Sequence, residues 1–208
     1  GFRHEDGWGA AWVEDGELRV LRRPESILED PEAERRLDAI DARLLFLHAR
    51  RSSRGRRQLE NTHPFVASYI GRQWAFCHNG TIEDRSCLFR VPGILPAGGT
   101  DSERLFNHLL NRIGARFAGD LAAILELAVR DGLERLTDYT AAHCFLATED
   151  RIIAAAQRHP KRGRKLYHAL WKGCGPGLRV VSSEPVEGLG CTWERLAEPG
   201  VVTLEVPS

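Results

Sequence analysis

Three stretches of this chain carry polar, hydrogen-bonding residues directly behind apolar or loop segments, where a site built on a sheet would need them. Leu44-Leu45-Phe46-Leu47 runs into His48-Ala49-Arg50-Arg51-Ser52-Ser53-Arg54-Gly55, and Trp74-Ala75-Phe76-Cys77 runs into His78-Asn79-Gly80-Thr81-Ile82. A loop over residues 92–99 runs into Thr100-Asp101-Ser102-Glu103. Each stretch has a plain structural reading. Arg50 can be a surface arginine, Asn79-Gly80 can close a hairpin, and Thr100 to Glu103 can be a capping box. Two other chemistries draw on overlapping residues. His4, Asp6, His48, His63 and His78 are metal-ligating types, but their spacing holds no HxxxH or HxH pair. Histidines that orient loops are the simpler account. Arg50, Arg51, Arg54, Arg56 and Arg57 form a basic run that lacks the interleaved aromatics of a nucleic-acid surface.

The elements that must position these residues follow from periodicity. Residues 10–13 and 18–21 read as a hairpin around Glu14-Asp15-Gly16. Over 31–42, Ala33, Leu37 and Ile40 recur at helical spacing behind Asp30-Pro31. Residues 44–47 and 74–77 are short apolar runs that suit buried strands. Thr100 or Asp101 caps a helix bearing Leu105, Leu109 and Ile113, and a second, more apolar helix covers 121–129. Strands are expected at 141–148, 151–156, 166–171, 178–182 and 201–206. Strands, two helices, then strands again, without regular βα alternation, predict one layered α+β domain over residues 1–208.

Bulk composition narrows the class. The 29 basic and 29 acidic residues cancel, so no overall field favours nucleic acid or an anionic membrane. The five cysteines are odd in number and widely spaced, which fits reduced thiols in a cytoplasm rather than a disulfide framework. No apolar stretch approaches the ~20 residues that span a bilayer. The chain has no Met and reaches a dense polar run at His4 within a few residues, so a preceding segment is expected.

Taken in order, the motifs resemble those of the class II glutamine amidotransferases, which are N-terminal-nucleophile hydrolases. Residues 48–55 look like the family's H-x-R-x-x-[ST]-x-G, Asn61-Thr62-His63-Pro64 like N-x-H-P, His78 to Ile82 like H-N-G-x-I, and Thr100 to Glu103 like T-D-[ST]-E. Asp6-Gly7-Trp8-Gly9 and Glu60 to Phe65 lean towards the stand-alone branch that acts on γ-glutamyl compounds. The resemblance implies a four-layer αββα sandwich of two mainly antiparallel sheets with helices on both outer faces. It implies hydrolysis of the γ-amide of glutamine or a related γ-glutamyl compound by an N-terminal Cys whose own α-amine is the base. Asn79 and Gly80 would supply the oxyanion donors. Arg50, Ser53, His63 and Asp101 would bind the substrate, with Arg50 on its carboxylate and Asp101 on its ammonium. No metal or cofactor is implied. A homo-oligomer or a partner synthase subunit stays open. Residue 1 is not Cys, so the nucleophile belongs upstream or the protein is a γ-glutamyl-binding relative without catalysis. Cys77 reads as a buried thiol. Ser182-Ser183-Glu184-Pro185 resembles a strand-end segment on the far side of the pocket.

Overall fold

The computed structural model describes residues 4–51, 56–162 and 169–205. β1 (Trp8–Glu14) turns through Asp15-Gly16 into β2 (Glu17–Arg23), and β3 (Leu45–Ala49) pairs antiparallel with the other edge of β1. Asp15 and Gly16 take positive φ, 52° and 77°, as the tight turn of the expected hairpin requires. The helix expected over 31–42 is much shorter. α1 (Ala33–Asp38) buries only Ala33 and has no side-chain cap, so little packing is available to extend it.

β4 (Phe65–Tyr69) and the eleven-residue β5 (Arg72–Ile82) start a second sheet. β6 (Tyr139–Ala147) and β7 (Arg151–Ala156) continue it. β8 (Trp171–Gly175), β9 (Leu178–Ser182) and β10 (Thr192–Arg195) form a separate three-stranded sheet in the order β10-β8-β9. β11 (Gly200–Glu205) closes the large sheet, whose order is β11-β7-β6-β5-β4. The strand expected at 166–171 begins only at Trp171, and residues 166–168 lie outside the described residues. β4 and β10 lacked a periodic signal of their own. They are short, and each is held by a longer partner.

Alternation along β5 separates the layers. Trp74 and Phe76 face α2 (Asp101–Arg116) and α3 (Leu121–Glu134), joining Leu105, Leu109, Ile113, Leu125 and Val129 in the main core. Phe76 stacks on Phe106 with ring centroids 5.1 Å apart. Ala75 and Cys77 face the opposite way, onto Ala11 and Phe46 of the first sheet. Ala154 and Ala156 of β7 meet Leu170 and Val181 beside the small β8–β10 sheet. The fold is therefore α+β, helices on a sheet that packs face to face on further antiparallel strands. The second sheet layer is split into two three-stranded sheets. Of the helices among the described residues, α2 and α3 share one outer face, and the third is the six-residue α1.

The loop before α2 is strapped to that helix. Thr100 Oγ1 accepts the Glu103 N–H at 3.1 Å, as a cap should. Glu103 takes the N–H groups of Ala97 and Gly98, at 2.7 and 2.8 Å, instead of completing the box on Thr100. Asn107 accepts from Val91 N–H at 2.6 Å and donates to the Ile94 carbonyl at 2.9 Å.

β1 is clamped as tightly from both sides. A Cβ on Gly9 would stand 2.2 Å from the His63 carbonyl oxygen and 2.7 Å from that of Leu21. Both are backbone atoms and cannot turn aside. Gly9→Ala should cost ~1–3 kcal/mol of stability, the range for overpacking. Chemical denaturation would register this as a lower midpoint at unchanged slope, and a wild-type midpoint would contradict the clamp.

Candidate functional site

The ends of β1 and β3 hold Arg50. Its backbone N–H donates to the Gly7 carbonyl at 2.8 Å, and its carbonyl accepts from Asp6 N–H at 3.1 Å. Nη1 reaches back to the Asp6 carbonyl at 3.1 Å, so the guanidinium is buried rather than on the surface, 4% exposed. Burial pushes its pKa down, and the negative charges of Asp6 and Asp101 oppose that shift.

Asn79 and Gly80 lie inside β5, opposite His143 and Ala142 of β6, and do not close a hairpin. Pairing with β6 carries the strand through them, with an irregularity in register between Gly80 and Ile82. Gly80 has φ 146°, and a Cβ there would stand 1.8 Å from the Ala141 carbonyl oxygen. Only glycine allows this approach. Asn79 is half-buried on the face shared by Ala75 and Cys77.

Two bonds tie this strand to the start of α2. Asp101 is buried in the first turn, and its Oδ2 accepts the Ile82 N–H at 2.7 Å. His78 lies 3.2 Å from the Ala141 carbonyl through Nε2 and 3.0 Å from Ser102 Oγ through Nδ1. A carbonyl can only accept, so Nε2 carries the proton and Nδ1 accepts from the serine hydroxyl. His48 from β3 is buried in the same cluster, its Nδ1 without a hydrogen-bond partner. His63 follows a short 3₁₀ turn at Leu59–Asn61, its ring centroid 4.3 Å from that of His48 and 4.7 Å from that of Phe65. Both His63 ring nitrogens are buried without a hydrogen-bond partner.

The structure thus brings Arg50, His63, Asp101 and the Asn79-Gly80 strand around one histidine cluster. Ser53 lies outside the described residues. The sequence marks His48 and His78 only as loop-orienting histidines and leaves Ser102 unassigned, although all three stand in the quoted motifs. His143 had no polar neighbourhood to single it out. No group of three or more His, Cys, Asp or Glu among the described residues is arranged to hold a metal. The basic run also divides: Arg50 is buried, Arg57 pairs with Glu29 at 2.6 Å, and Arg54 lies outside the described residues. Ser182, the last residue of edge strand β9, bonds to the Glu184 carbonyl.

The class-II glutamine amidotransferase family matches residues 1–170. The chain belongs to that family. It is 39% identical over 197 residues, 90% of this chain, to the uncharacterized protein MJ1515 of Methanocaldococcus jannaschii, and covers 52% of that protein. It is 34% identical over 127 residues, 59% of this chain, to the candidate glutamine amidotransferase YafJ of Escherichia coli K12, spanning 49% of it. The chain therefore spans about half the length of these curated relatives. Among solved structures, a predicted glutamine amidotransferase from Pseudomonas aeruginosa shares the fold with TM-score 0.64 at 21% identity, covering 96% of this chain and 85% of that one. Glutamine phosphoribosylpyrophosphate amidotransferase from B. subtilis does so with TM-score 0.67 at 20% identity, covering 99% and 44%.

In this amidotransferase domain burial strips charge from the histidines. Desolvation first, then the positive charges of His78, His4 and Arg50, lower the His48 pKa to about 3. Burial lowers that of His63 well below its ordinary value and that of His143 to about 4. His78 is lowered by burial against the pull of Asp101 and the Ala141 carbonyl. Burial also raises the Cys77 thiol strongly and the Cys144 thiol to about 12, so neither is a thiolate at neutral pH. Helices long and apolar enough to cross a membrane are absent among the described residues.

These neutral rings make the fold acid-sensitive. Once unfolded, each histidine protonates at its ordinary value of ~6.5, so the unfolded chain binds more protons as pH falls below that point. Stability should decline from ~pH 6.5 downward, towards folded values of about 3 for His48 and about 4 for His143. Each such ring contributes at most ~1.4 kcal/mol per pH unit. Denaturation midpoints between pH 7 and pH 5 would test this. His48→Gln should flatten the slope, and an unchanged slope would remove His48 from the account.

Proposed function

We propose that this domain hydrolyses the γ-amide of glutamine or of a related γ-glutamyl compound. The observation that carries the reading is the bond from Ile82 N–H to Asp101, two residues beyond Gly80 and within the electrostatic reach of buried Arg50. An acid and an arginine then flank the strand that bears the oxyanion donors. A free amino-acid head presents one carboxylate and one ammonium, which this pair would receive on Arg50 and Asp101. Ser53 and His63 complete the substrate contacts. As the carbonyl is attacked, the Asn79 amide and the Gly80 N–H stabilise the oxyanion.

The nucleophile is assigned to an N-terminal Cys preceding this sequence, with its α-amine as proton acceptor at a pKa near ~8. The buried, protonated state of Cys77 and Cys144 supports looking beyond the cysteines present. Residues 1–208 act as one domain in this proposal, in a reducing cytoplasm. A second reading, in which ammonia passes to a partner synthase unit, draws support from relatives about twice the length of this chain.

Full-length protein beginning at its own Cys should release glutamate from glutamine or a γ-glutamyl amide. Asn79→Ala should lower kcat ~10²–10³-fold, the usual cost of one oxyanion donor. Arg50→Ala or Asp101→Ala should raise KM far more than it lowers the melting temperature. Wild-type kinetics in any of the three would sink the corresponding assignment, and binding of γ-glutamyl ligands without turnover would make the domain a binding module.

A further inference from the structure

A cavity of about 50 Å³ opens beside α2 between that helix and the strapped loop. Its lining is Arg85, Leu88, Arg90, Pro96, Arg104 and Asn107. Three arginines thus line one small space with no carboxylate in its wall. None of the three makes a side-chain hydrogen bond or ion pair with another described residue. Nearby carboxylates in the sequence are committed elsewhere. Asp84 binds Ser86 and Thr137, and Glu103 binds Ala97 and Gly98. Asn107 is also spent, holding Val91 and Ile94. The strap that shapes the loop therefore sets three arginines around a cavity and leaves their donors unanswered. Planar guanidinium forks match the oxygens of carboxylates and phosphates, and like charges gathered without a counter-ion repel one another.

We infer that this pocket is a binding site for a compact oxyanion, a carboxylate or phosphate group. Arg104 stands one helical turn beyond Asp101 on α2, and Arg85 three residues beyond Ile82. The oxyanion has two available sources: a free small carboxylate, or free inorganic phosphate. The site does not depend on the catalytic reading.

Titration of the full-length protein with inorganic phosphate and, separately, with N-acetylglycine tests the site by calorimetry. At least one should bind, and Arg104→Gln or Arg85→Gln should weaken it at least ~10-fold. Arg179→Gln, an exposed arginine on β9, controls for loss of one positive charge. Failure of both anions to bind the wild type, or equal weakening by Arg179→Gln, would overturn the inference. The same titrations separate the sources. A carboxylate site predicts that N-acetylglycine binds at least ~10-fold more tightly than phosphate, and a phosphate site predicts the reverse order. Absence of any γ-glutamyl hydrolysis would count against the catalytic proposal alone, because the titrations decide the pocket by themselves.

Discussion

A carboxylate buried at the N-terminus of a helix is tolerable only if its charge is answered, and Asp101 is answered twice. The amino end of α2 favours a negative charge in its first turn, and the Ile82 N–H donates directly to Oδ2. The second bond has a structural consequence. It fixes the end of β5 against the start of α2, and His78 repeats the link from earlier in the strand by reaching both Ser102 and the Ala141 carbonyl. The Asn79-Gly80 strand, the helix start and β6 are consequently one rigid unit. Without this attachment, Asp101 and Gly80 would have no defined distance from each other.

The same rigidity depends on desolvation. His48, His63 and His78 are buried, and the charge of Arg50 bears on the first two, conditions that disfavour a second positive charge. As neutral rings His48 and His63 act as spacers, and His78 acts as a hydrogen-bonding post. The low-dielectric surroundings that keep them neutral also strengthen the field between Arg50 and Asp101. One environment therefore serves both ends: it silences the histidines and amplifies the interaction between the two charges.

The loop over residues 83–99 is organised by α2 rather than by its own sequence. Glu103, Asn107 and His108 take backbone groups of Ala97, Gly98, Val91 and Phe89 at successive positions along the helix. His108 also binds the Gly132 carbonyl at 3.1 Å, so α3 holds the same post from behind. A loop that lacks an apolar repeat becomes a defined wall because polar helix residues satisfy its backbone.

The sequence alone determined the α+β class, the hairpin, the cores of both long helices and the four stretches that form the candidate site. Those properties are local: apolar spacing selects strand or helix, and Thr100 selects the helix start through its own hydroxyl. The sequence did not determine that Asn79-Gly80 lies within a strand, because a dipeptide that favours turns was overruled by pairing with β6. Nor could it shorten α1, split the second sheet layer, or reveal that Arg50 is buried. Each of those outcomes depends on what lies across the fold: an opposite strand, the missing packing surface for a helix, or an acid 51 positions away that makes a buried arginine tolerable. Tertiary structure alone decided that His48, His63 and His78, scattered over thirty residues, occupy one buried cluster, since burial is a property of the whole fold and of no single segment.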